Sequence, residues 1–385
     1  MRMMFAEAAE ASQPGLGKKL MLLNWPFLVL ITAITLVGVA ALYSVAGGSL
    51  EPWASRHVVR YCVGLGLVFA IALSDIRWWM RGAYSLYLAA LILLAAVPVL
   101  GVESGGAQRW LGFGPYSFQP SEMMKIALVL ALARYYQRLP PERVSHPLNV
   151  LPPLVMIAAP IGLALDQPDL GTAALFGVVG CGLLFLAGVS WLYFLAGVIG
   201  VIAALPVAFE QLHDYQRERV LNFFDPARDP LGSGYHILQS KIAIGSGGLM
   251  GKGFMQGTQA QLNFLPEKHT DFIFTMFSEE MGFLGAIALL ALYLLALLFI
   301  AYMALRCRDT FGRLLAAGMG LCLFAYVFIN VAMVTGLVPV VGVPLPLVSY
   351  GGTSMLTMMV GLGFVLNAHV NRAVRIRREA LGLLW

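Results

Sequence analysis

What most limits this chain is a succession of apolar runs, most of them long enough to cross a bilayer, which takes about 20 residues at about 1.5 Å each. They fall at about 25–45, 58–73, 83–100, 123–135, 150–165, 170–189, 191–209, 283–305, 314–334 and 347–368. The fourth and fifth are short and extend into polar flanks. Composition agrees: 59% of the 385 residues are hydrophobic and 12% are charged. So few charges could not cover a water-soluble globule of this size. The expected fold is all-α, a polytopic integral membrane protein with about ten transmembrane helices.

Ten crossings put both termini on one side, and basic residues choose the side. If the termini and the loops after spans 2, 4, 6 and 8 are cytoplasmic, they hold fifteen of the 25 lysines and arginines and six of the 20 acids. That side then carries +9 and the other −4, so the short basic loops place both termini inside. The organisation expected is a cytoplasmic tail over 1–23, a ten-helix domain over 24–370 with a large outer loop over 210–270, and a cytoplasmic tail over 371–385. The first twenty residues lack an apolar core with a cleavage site, so they read as a retained tail. The net charge of +5 is accounted for by cytoplasmic-side arginines, so no nucleic-acid partner is expected. Cys62, Cys181, Cys307 and Cys322 are scattered singly, which indicates neither a zinc site nor a disulfide framework.

Two irregular stretches stand out. In the 210–270 loop, apolar pairs alternating with Gln239, Ser240 and Lys241 suit a short interfacial helix. The following glycines, Gly245 to Gly253, do not make a phosphate loop: Ser246 stands where Walker A needs glycine, and Gly253 where it needs a hydroxyl. They read as a flexible turn. Over 335–353, Pro339, Pro344, Pro346 and the Gly351–Gly352 pair forbid a continuous helix. Apolar non-helical backbone at that depth must be buried in protein or line a cavity.

Three clusters of ionisable residues accompany these stretches. Glu122 and Lys125 are spaced i, i+3 after Pro120–Ser121, with Arg109 upstream; an interfacial ion pair in a capped helix accounts for them as well as a functional site does. Asp166 and Asp169 flank Pro168 and suit a metal site or a proton acceptor, with a helix N-cap as the structural alternative. Glu267, Lys268, His269 and Asp271 sit where the long loop meets span 8. Asp271 precedes Phe272, Ile273 and Phe274, so partial desolvation makes it a stronger base than a surface aspartate; an N-cap is the structural alternative. Either Glu279 or Glu280 could face inward. The outer-side cations Arg109, Lys125, Arg217, Arg219, Lys241, Lys252 and Lys268 suit an anionic headgroup or diphosphate, though some are ordinary surface charges. Such a site could transform a lipid-linked substrate or line a transporter path, and composition does not separate the two.

At these clusters the sequence resembles the SEDS family (shape, elongation, division and sporulation). The stretches that carry the resemblance are GAQRWL (106–111), QPSEMMKIA (119–127), QPDLGT (167–172), DPLGSGYHILQSKIAIGSGGLMGKG (229–253), LPEKHTDFIF (265–274) and VVGVPLPLVSYGGTS (340–354). They run in order along most of the chain, and their wording is closer to the rod-shape branch than to the division branch. The resemblance implies a ten-helix, glycosyltransferase-C-like bundle with a large periplasmic loop between helices 7 and 8. It implies a peptidoglycan glycosyltransferase of the bacterial inner membrane that polymerises lipid II during elongation, working with a class B penicillin-binding protein and the elongation machinery. Asp271 falls on the family's essential aspartate, and Glu122, Lys125 and Asp169 on its other important polar positions.

The chemistry expected is deprotonation of an acceptor sugar hydroxyl by Asp271 as undecaprenyl diphosphate leaves. Glu122 and Lys125 join it as catalytic candidates. Arg109, Asp169, Lys241, Lys268, His269 and Ser349 are the substrate-binding candidates. A divalent cation (Mg or Mn) could share the neutralisation, although no clean ligand set is visible; no organic cofactor is expected. A lipid II flippase is the competing class, but the internal repeats that often accompany one are not found. A scaffold for the transpeptidase would need none of the buried acids.

Overall fold

The computed structural model describes residues 15–104, 107–113, 116–211, 217, 233–261, 265 and 267–374. The distal parts of both tails, the first half of the long loop with Arg219, and the DPLG part of its motif lie outside the described residues.

In chain order the elements are α1 (Leu16–Met21), α2 (Trp25–Val45), α3 (Ala54–Leu73), α4 (Ile76–Leu100), β1 (Gly101–Ser104), β2 (Ala107–Phe113), β3 (Tyr116–Phe118), α5 (Pro120–Arg138), α6 (Pro147–Asp166), α7 (Leu170–Ala187), α8 (Trp191–Gln211), α9 (Ser233–Ser246), α10 (Thr258–Gln261), α11 (Ile273–Leu305), α12 (Thr310–Val334) and α13 (Gly352–Val370). Each of the ten apolar runs corresponds to one helix. Eight of these are long and apolar enough to cross a membrane. The other two are α8, apolar over Trp191–Ala204, and α5.

Helix α5 is the most polar of the ten because it is sheathed by protein. It packs against α4, α6, α7, α12 and α13, and Glu122 and Lys125 are buried along with most of its apolar residues. A helix wrapped on every side has no lipid-facing stripe to keep apolar, so hydropathy understates its depth. The outer helices show the reverse: Val29, Leu151 and Leu298 stay exposed on the protein alone, as lipid-facing side chains do.

Three departures from the sequence reading matter for the site. First, Gly101–Ser104, Ala107–Phe113 and Tyr116–Phe118 pair as an antiparallel three-stranded sheet, β1-β2-β3, that sets Arg109 on its central strand. Second, α11 begins ten residues before the apolar run and breaks at Gly282 (φ 67°, ψ −169°), so Glu279 and Glu280 lie inside its first segment. Third, the glycine-rich turn is docked, not flexible. It presses against that break: a β-carbon on Gly251 would lie 2.1 Å from the Glu280 carbonyl oxygen, and one on Gly282 would lie 2.2 Å from the Gly251 nitrogen. Lys252 and Gly253 donate backbone hydrogen bonds to Glu279 and Glu280, and Phe283 returns one to Gly248. The Glu279 carboxylate, fully buried, accepts from Lys252 Nζ at 2.6 Å and from the backbone of Thr258 at 3.0 Å. Glu280 accepts from Ser44 Oγ. The Glu280 carboxylate also accepts from the backbone of Met255 and Gly257, so both acids fasten the loop.

The expected short helix is α9, which packs on α11 and α12 through buried Ser240. Its hydroxyl bonds Thr275 Oγ1 and the Val334 carbonyl, each at 2.7 Å.

Candidate active site

Pro120 starts α5, and the first turn carries Glu122. One turn on, Lys125 Nζ reaches Glu122 Oε1 at 2.8 Å, and both side chains are almost wholly buried. A buried ion pair needs further hydrogen bonds to offset its desolvation. Tyr326 of α12 supplies them: its hydroxyl donates to the Glu122 carboxylate at 2.8 Å from both oxygens and accepts from Lys125 Nζ. The ammonium also stands 4.6 Å from the centre of that ring.

Asp169 is the N-cap of α7, accepting from Thr172 N at 3.2 Å and from Thr172 Oγ1 at 2.8 Å. The capping role is real, and it coexists with a second contact. Arg109 places Nε 3.8 Å from Asp169 Oδ2 and donates through Nη2 to the Pro168 carbonyl at 2.6 Å.

Asp271 is not a cap, because Phe272 holds the N-cap position of α11. Its segment is fixed through the backbone instead. The carbonyls of His269, Thr270 and Asp271 accept in turn from Tyr350 N at 2.9 Å, Ser349 Oγ at 2.6 Å and Asn330 Nδ2 at 2.9 Å. The non-helical stretch before α13 is satisfied in the same way, as membrane-depth backbone requires. Asn330 Nδ2 also donates to Val343, Leu345 N to Ser349 Oγ, and Tyr293 to Pro346, while His57 Nε2 bonds Leu347. Across from the Asp271 carboxylate is Gly342 (φ +72°), where a β-carbon would lie 3.4 Å from Oδ2.

The His269 ring stacks on Trp53 at 4.5 Å between centroids and meets Tyr350 at 5.8 Å. Burial there pushes its pKa down, with Glu267 opposing and Lys268 adding to the shift, so the imidazole is neutral at pH 7. Burial also lowers the pKa of the neighbouring Lys268 ammonium.

These parts meet at a cavity of about 540 Å³ whose walls include Arg109, Glu122, Lys125, Asp169, His269 and Asp271. Six of the nine site residues expected from sequence thus line one space. The other three do not line it. Ser349 is buried and spends its hydroxyl on Thr270 and Leu345. Lys241 lies on α9 beside Gly336, and Lys268 precedes the lining residue His269. Tyr326, Thr172, Trp110, Gln119, Gly342 and Tyr350 also line the cavity and were missed. All of these but Tyr326 belong to quoted motifs and were recoverable from them. Tyr326 sits in an apolar run, where an aromatic residue reads as packing. Among the described residues no three His, Cys, Asp or Glu side chains group so as to hold a metal ion. The Glu122 and Asp169 carboxylates are instead engaged by cations and hydroxyls, which does not fit a ligand set.

The family described as "Cell cycle protein", which takes in FtsW, RodA and SpoVE, matches residues 18–374. The chain belongs to it. This is the SEDS family of peptidoglycan glycosyltransferases, and the fold is shared with its solved members. The peptidoglycan glycosyltransferase MrdB of Escherichia coli K12 is 46% identical over 90% of this chain and 94% of its own length. The probable peptidoglycan glycosyltransferase FtsW of Geobacter sulfurreducens is 34% identical over 88% of this chain and 93% of its own. The crystal structure of Thermus thermophilus rod shape determining protein RodA superimposes with a TM-score of 0.69, at 31% identity over 91% of this chain and 97% of that one. A chain from a peptidoglycan synthase complex, described as coordinating polymerization and crosslinking, superimposes at 0.79, with 35% identity over 91% and 98%. As a SEDS member the chain is a multi-pass membrane enzyme.

Proposed function

We propose that this enzyme polymerises lipid II at the outer face of the bacterial inner membrane during elongation, with Asp271 as general base. The supporting observation is that Asp271 shares one cavity with Lys125 and Arg109. A sugar hydroxyl is a poor nucleophile until its proton is removed as the bond forms. In the proposed step the Asp271 carboxylate takes the acceptor hydroxyl proton, and the acceptor oxygen bonds to the donor anomeric carbon with inversion. The bond from that carbon to the diphosphate oxygen breaks, and the electron pair leaves on undecaprenyl diphosphate. Arg109 and Lys125 offset the charge that develops there. Gly342 leaves the approach to Asp271 open. His269, neutral between its aromatic neighbours, offers hydrogen bonding and stacking without a competing cation. Glu122 and Asp169 hold the two cations.

The excess of basic residues in short loops supports cytoplasmic termini and a periplasmic cavity. The relative in the peptidoglycan synthase complex supports a class B penicillin-binding protein as partner, so that new strands are crosslinked as they form.

The test is purified protein in liposomes with labelled lipid II in the accessible leaflet. Glycan polymer is expected from the wild type, with a loss of about a hundredfold or more in Asp271→Asn, the scale of a general base. Near-normal polymer from that variant would overturn the base assignment. Lipid movement without polymer would favour a flippase.

A further inference from the structure

Tyr326 carries an arrangement that no motif assigns. Its side chain is 3% exposed, comes from α12 and is the third member of the buried Glu122–Lys125 cluster. An ammonium has three N–H donors. Lys125 gives one to Glu122 and one to Tyr326, which leaves the third for the cavity that all three residues line. A second, smaller space of about 20 Å³, enough for a single water, is also lined by these three residues.

A lysine–glutamate pair at low dielectric tends to close on itself and satisfy the ammonium with its own carboxylate. The Tyr326 hydroxyl limits this to one contact by taking a second N–H of the ammonium. It donates to both carboxylate oxygens and accepts from the ammonium. We propose that Tyr326 is a positioning residue that holds the Lys125 ammonium with its remaining N–H toward the cavity, where it binds the diphosphate of the lipid-linked substrate. This rests on the reading of Lys125 as a leaving-group cation, and Tyr326 acts only through Lys125.

The test measures binding of undecaprenyl diphosphate to the full-length purified protein, with undecaprenol as the phosphate-free control. Tyr326→Phe keeps the ring and removes the hydroxyl. Affinity for the diphosphate should fall about tenfold, the size of one weakened charge-assisted hydrogen bond, with undecaprenol binding unchanged. Lys125→Met should weaken diphosphate binding at least as much, and the double variant should bind no more weakly than Lys125→Met alone. Independent, multiplying losses would overturn the proposal, as would equal losses for both lipids with a lowered Tm, which mark a merely structural role. If Lys125→Met weakens binding and Tyr326→Phe does not, the positioning role alone falls. If Lys125→Met binds normally, the anion-subsite reading falls and takes the inference with it.

Discussion

Asn330 and Asp271, 59 residues apart in sequence, are joined by a 2.9 Å hydrogen bond from the asparagine Nδ2 to the aspartate carbonyl. The same nitrogen donates to Val343 at 2.7 Å. One fully buried amide in α12 therefore sets the distance between the proposed base and the non-helical segment that carries Gly342.

Asn330→Leu keeps the volume and removes both donors. Two buried carbonyls are left unsatisfied, at about 1–3 kcal/mol each. The expected result is a lower Tm with kcat down by about a hundredfold, since a 1 Å displacement of a reacting group costs about that much. Thermal melting and polymerisation kinetics on the same preparation check it, and KM should move little.

Ser349 gives a contrasting case. Its hydroxyl accepts from Leu345 N and donates to the Thr270 carbonyl, so it holds backbone. Ser349→Ala should lower Tm and kcat and leave KM near the wild-type value. A rise in KM alone, measured by lipid II titration, would instead mark a direct substrate contact.

These contacts show where the sequence is legible and where it is not. Ten apolar runs yield ten helices because each run's hydropathy is a local property. Arg109, Glu122, Asp169 and Asp271 are legible because a charge in an apolar setting is costly and therefore informative. Asn330 and Tyr326 are illegible because their partners lie in other segments of the chain, as far as 204 residues away. The glycines at 247–253 were misread for the same reason: close backbone approach and flexibility select the same residue, and only the neighbour decides between them. That neighbour, Gly282, sits just ahead of the apolar run at 283–305, inside a helix that begins ten residues before that run.

The glycine contact makes its own prediction. Gly251 (φ +80°) and Gly282 (φ +67°) each combine a left-handed backbone with a β-carbon position overlapping the other strand of the contact. Alanine at either should reduce folded yield and Tm sharply. Gly245, within α9 and with nothing near its β-carbon position, is the control. Gly245→Ala should be neutral or stabilising by up to about 1 kcal/mol through helix propensity.

The pH dependence follows from His269. Burial holds its folded-state pKa below the ordinary histidine value of about 6.5. The unfolded chain therefore takes up a proton at a higher pH than the native state does. The stability contribution is full above about pH 6.5, is lost as pH falls below it, and levels off once the native imidazole is also protonated. Acidification also places a cation between Trp53 and Tyr350 and beside Lys268. Wild-type Tm should thus decline from pH 7 towards pH 5, and His269→Phe, which keeps an aromatic ring between the same neighbours, should decline less steeply. Melting both proteins across that range in one buffer series checks the sign. An equal slope in the two would place the acid sensitivity elsewhere in the bundle.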